Sequence, residues 1–128
     1  MYICIVKPRV TPHKLSSMTS LLNAIEEIAE QNPGGFTVDL TTLKKVTKGI
    51  SVAYLETQNS FGDEGLKRVL EHAEKHEKTV GGWLNEEDGC FYYDSVKIYL
   101  DREEAIRAGR ENKQIAIFDI GNLELIKL

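Results

Sequence analysis

The sequence predicts an α+β domain in which three helices pack on a mainly antiparallel sheet. Three observations carry that expectation. Apolar residues recur at helical spacing in three separated stretches, and short alternating or β-branched runs lie between them. Hairpin turn signals stand at Asp88-Gly89 and Gly121-Asn122. In chain order the elements read β-α-β-β-α-β-β-α-β-β, across one domain of residues 1–128.

Tyr2 to Lys7 is a β-branched apolar run closed by Pro8, a first strand. Leu15, Met18, Leu22, Ile25 and Ala29 then follow helical spacing, with Leu21 and Ile28 widening the stripe. Ser16 or Ser17 suits its amino-terminal cap, and Asn32-Pro33-Gly34-Gly35 stops it. Phe36, Val38 and Leu40 alternate with Thr37 and Asp39 as a half-buried strand. Ile50 to Leu55 is a second apolar run, and the two are expected to form a β-ribbon with a basic tip at Lys44, Lys45 and Lys48. Gln58 to Asp63 reads as a loop, with Asp63 capping a second helix whose Leu66, Val69, Leu70 and Ala73 share one face.

Thr79 to Leu84 leads into a turn at 85–89, and Cys90 to Leu100 is a long strand. Asp101 caps a third helix, with Glu104 completing a capping box and Ala105, Ile106 and Gly109 as a small inner face. Gln114 to Ile120 is a buried strand, and Gly121-Asn122 is a two-residue turn into Leu123 to Leu128.

With 128 residues, 41% apolar and 28% charged, the chain needs no disulfide or metal in order to fold around one core. A net charge of −4 argues against a duplex nucleic-acid binder, which needs a basic face to neutralise phosphates. The amino-terminal run has no signal-peptide pattern, and nothing approaches the roughly 18 apolar residues of a membrane span. A cytoplasmic protein with no membrane contact is therefore expected. Cys4 and Cys90 then read as small buried hydrophobes.

Few constellations carry chemistry. His72 and His76 stand four apart on a predicted helix, a spacing that can hold a metal, yet no third ligand is evident nearby. Two solvated histidines and no metal or cofactor are the expectation. Gly81-Gly82-Trp83 lacks the later glycine of a dinucleotide loop, and no nucleophile elbow occurs. Asp94 is more informative, because it shares its strand face with Tyr92, Val96, Ile98 and Leu100. A carboxylate there either accepts structural hydrogen bonds, the commoner outcome, or holds a ligand.

Gly81, Gly82 and Trp83 pose a similar alternative. With Tyr92 and Tyr93 they either line a pocket for a planar ligand or surround a core tryptophan beside a bulge, the commoner fate of a strand aromatic. Arg107, Arg110 and Asn112 are explained by the end of a helix, whereas Gln114 opens a buried strand without a local reason. If Gly81, Gly82, Trp83, Tyr92, Asp94 and Gln114 converge, they form a cleft with an acid, an amide and a stacking ring. Arg110 is expected at its mouth.

The ordered series Gly35-Phe36-Thr37-Val38, Gly49-Ile50-Ser51-Val52-Ala53, Val80-Gly81-Gly82-Trp83, Tyr93-Asp94, Glu104-Ala105 and Asn112 to Asp119 resembles small uncharacterised proteins of bacteriophages and mobile elements. The likeness spans about residues 34 to 120 and brings no known activity. It implies a setting, that of accessory proteins interfering with host defence or modulating host proteins.

The leading expectation is a non-enzymatic phage or mobile-element protein that binds a host protein or sequesters a small nucleotide-like ligand. An enzyme acting on nucleotides is the second, with Asp94 or Asp119 as acid or base and Arg110 as an anion clamp. A structural or assembly subunit is the third. The wide first-helix stripe and the sheet edges also lead to an expected homodimer.

Overall fold

A computed structural model describes residues 17–128, so the predicted strand from Tyr2 to Lys7 lies outside the described residues. The first described element, α1 (Ser17–Gln31), ends where the Asn32 side chain donates to the Ile28 carbonyl and Pro33 cannot extend the helix. Leu21, Leu22, Ile25, Ile28 and Ala29 all join one apolar cluster with the second helix. From Leu21 onward that stripe is used inside the fold, which weakens one motive for a homodimer; Leu15 lies outside the described residues.

The strand β1 (Phe36–Asp39) does not pair with β2 (Ile50–Ala53), so the expected ribbon is not formed. The chain turns at Leu43, which adopts a left-handed φ of 59°, and returns for one bridge between Val38 and Lys45. Residues 41–48 offer only Leu43 and Val46 to a core, too little for a second alternating strand.

A short 3-10 turn (Leu55–Thr57) and a two-residue strand β3 (Ser60–Phe61) occupy the stretch read as a loop. The second helix, α2 (Gly62–Glu74), begins after Phe61 with no side-chain cap. Asp63 and Glu64 lie in its first turn, where the helix dipole favours acids, so Asp63 does not act as the cap.

The hairpin of β4 (Thr79–Asn85) and β5 (Cys90–Tyr99) turns at Gly89, whose φ of 73° suits glycine. The third helix, α3 (Arg102–Glu111), starts as predicted, with the Asp101 carboxylate accepting from the Glu104 amide at 3.2 Å. Its left-handed exit residue is Lys113, not Asn112. Asn112 instead uses its side-chain oxygen to accept from the Leu55 amide. The final pair, β6 (Ala116–Asp119) and β7 (Glu124–Lys127), leaves residues 120–123 in the link, longer than the predicted two-residue turn.

The strands run in the order β1-β4-β5-β2-β6-β7, all antiparallel, with β3 also paired to β5. The two apolar clusters both lie on the helix side. Phe36, Val38, Val80 and Tyr93 meet α1 and α2, while Ile50, Val52, Ile117 and Ile126 meet α3. Burial of these residues on one face leaves the opposite face of the sheet to form a cleft.

Candidate functional site

The alternation of β5 decides which side chains reach the cleft. Tyr93 and Ser95 face α2: Tyr93 belongs to its apolar cluster, and Ser95 meets its His72. Asp94 and Val96 therefore face the other way, and both line a cleft of about 630 Å³. The predicted parity of this strand is correct. The face it marks is a cleft floor, not the helix-covered core.

Across the ladder, Gly81 pairs with Asp94 and Thr37 pairs with Gly81, so the three form one row on the cleft floor. Gly81 has no φ in the left-handed range, and a Cβ built there meets only ordinary contacts, the nearest at 3.6 Å. Gly82 points to the helix side, where a Cβ would lie 2.6 Å from the Phe36 ring. The two glycines thus have separate reasons. Gly82 makes room for core packing, and Gly81 keeps the floor open beside Asp94.

Asp94 has no hydrogen-bond partner among the described residues, and desolvation alone raises its carboxyl from 3.8 to about 6. No buried side-chain polar atom among the described residues lacks a partner, so the Asp94 oxygens keep contact with the cleft. The structural alternative, a carboxylate bound by backbone amides or a tyrosine, is not what the geometry gives.

Trp83 is 46% exposed on the cleft rim, so it is not a core tryptophan. Its ring stacks on Tyr92 with centroids 5.5 Å apart, and Tyr92 meets Phe61 at 5.3 Å. This aromatic row follows from register, since Phe61 and Trp83 both pair with Tyr92. The Tyr92 hydroxyl donates to Asp88 at 2.5 Å, holding the Asp88 carboxyl below its usual range and the ring in place. Tyr92 therefore supports Trp83 from beside the cleft.

Gln114 also lines the cleft. Its amide nitrogen donates to the Asn112 carbonyl at 3.1 Å, which supplies the missing local reason and leaves its oxygen as an acceptor. Arg110 does not reach the site. It is exposed on the outer face of α3 in a shallow groove with Ile106 and Arg107. Because the helices cover the opposite side of the sheet, no residue of α3 can stand at the mouth. Asp119 is likewise elsewhere, bound by the Asn122 side chain and amide, which hold its carboxyl below the usual range. The acid-and-arginine constellation expected of an enzyme is not assembled.

Lys45, read from sequence only as part of a basic tip, lines the cleft, as do Ser51 and, in its apolar wall, Phe118 and Leu125. The available signal was period two: Thr37 and Ser51 are the polar positions of half-buried strands, and that polar face is the cleft face. Lys45 donates to Asn32 at 2.5 Å and is the cation on this rim.

Of the two histidines, only His72 departs from the expected exposure. His76 is exposed, but the His72 side chain is only 13% exposed and both its ring nitrogens are engaged. His72 stands three residues after the buried Val69, at the border of the stripe, and so turns toward β5.

Compared with protein-family models, curated proteins and solved structures, the chain matches none of them. No helix among the described residues is long and apolar enough to cross a membrane.

Proposed function

We propose that this protein is a non-enzymatic binding protein whose cleft takes a planar, nucleotide-like ligand. The single observation behind this reading is Asp94, a desolvated carboxylate without a partner among the described residues, on a cleft floor left open by Gly81. A carboxylate in that position accepts two parallel hydrogen bonds from the amino and imino N–H groups of a nucleobase edge. Trp83 offers its face for stacking, and Lys45 is the cation available to a phosphate. The cleft volume falls within the usual range of small-molecule sites, roughly 300–1,000 Å³.

Such a protein acts by removing its ligand from a cytoplasmic pool, a role that suits the phage and mobile-element setting implied by the sequence resemblance. Sequestration needs no nucleophile or base, and Asp94 stands in the cleft without either Arg110 or Asp119.

The test is a binding panel of nucleosides, mononucleotides and cyclic nucleotides, read by thermal shift and isothermal titration. A ligand with an amino-imino edge is expected to saturate one site per chain and to lose at least tenfold in affinity in Asp94→Asn. A panel that neither binds nor is turned over would remove this reading, and turnover of any member would replace it with the enzyme class.

A further inference from the structure

On the helix side of β5, behind the cleft floor, Glu56, His72 and His76 gather three potential metal-ligand atoms within 4.8 Å of one another. The helix supplies the histidine pair at i and i+4, and the 3-10 turn supplies the carboxylate. We infer that these three residues form a binding site for a divalent transition metal of the zinc type.

The surroundings match what a metal requires of its ligands. A ligating imidazole is normally fixed by a hydrogen bond at its other nitrogen, which sets the tautomer. His76 Nδ1 lies 2.7 Å from the His72 carbonyl, an acceptor only, so this nitrogen carries the proton and leaves the Nε2 lone pair free. His72 Nδ1 lies 2.8 Å from Ser95 Oγ, which leaves Nε2 toward Glu56 at 2.9 Å. Without an ion the His72 Nε2 proton bridges to Glu56; when Nδ1–H donates to Ser95 Oγ instead, the Nε2 lone pair is available to an ion beside the carboxylate.

The carboxylate is held by a braced turn. The Leu55 amide donates to Asn112 Oδ1, the Ser95 amide donates to Thr57 Oγ1, and Arg68 donates to both Ser60 Oγ and the Gln58 carbonyl. The imidazole rings stack at 3.8 Å with planes 3° apart, and Tyr54 packs against both. Metal bonds of about 2.1 Å place tetrahedral ligand atoms about 3.4 Å apart, so closing on an ion needs tilting of the exposed His76 and Glu56 side chains. Three protein ligands leave a fourth position for water, the arrangement of an open site.

The experiment uses untagged full-length protein stripped with a chelator and titrated with Zn²⁺ by calorimetry, and with Co²⁺ by visible absorption. One metal per chain is expected, with Co²⁺ developing ligand-field bands. Glu56→Gln and His76→Ala, both at exposed positions, should each weaken binding at least tenfold while the metal-free melting temperature stays unchanged. Absence of saturable binding, or an unchanged Kd in either variant, would overturn the site.

Discussion

Gly81 stands directly opposite Asp94 in the β4–β5 ladder, so the carboxylate has no side chain beside it on that flank. A half-buried, desolvated acid next to a missing side chain is costly unless something occupies the space.

Asp94→Asn is expected to stabilise the fold at neutral pH. The raised carboxyl means that below about pH 3 the folded and unfolded states both hold the proton. As pH rises from about 4 to about 6 the unfolded chain ionises first, so this group lowers stability through that window and then levels off. The full shift corresponds to at most about 3 kcal/mol, less because water in the cleft screens the charge. Denaturant titrations of both proteins should coincide near pH 3 and differ by about 1–2 kcal/mol in favour of the variant above pH 6. A variant less stable throughout would make Asp94 a structural acid.

The glycine pair separates packing from binding. Gly82→Ala should destabilise by about 1–3 kcal/mol, because its Cβ would press on Phe36 and Phe91. Gly81→Ala should melt close to the parent and lose the ligand, since its methyl group projects over the cleft floor. Equal melting losses in the two variants would contradict the assignment of their faces.

Much of this was legible in the sequence. The alternation around Asp94, the turn at Gly89 and the cap at Asp101 are local signals, and each gives the observed local geometry. What escaped is tertiary. Glu56 comes to the histidines from 16 residues upstream of His72, and no spacing rule links them. Arg110 offers the donors that an anion site needs, but α3 keeps it on the helix side, and the chain reaches the sheet only at β6. The habit of strand aromatics to be core points Trp83 inward, yet its position on β4 puts it on the sheet face that the helices leave uncovered.

Trp83→Ala should change stability by less than about 1 kcal/mol, as befits a half-exposed ring, and weaken a stacked ligand by about 1–3 kcal/mol. Intrinsic tryptophan fluorescence is a convenient parallel readout, since Trp83 is the one tryptophan in the chain. A ligand that binds without perturbing that emission does not use this ring.

Arg110→Ala should leave both properties alone, within about 0.5 kcal/mol of stability and twofold in affinity, because the residue is exposed on the far side of the sheet. A large loss of affinity in a calorimetric titration would return the arginine to the site.

A ligand held in the cleft over Asp94 should survive purification from cells, and native mass spectrometry of parent and Gly81→Ala, run side by side, detects it. A small-molecule adduct is expected on the parent, one per chain, and is expected to be absent from the folded variant. An adduct of equal abundance on both proteins would contradict it.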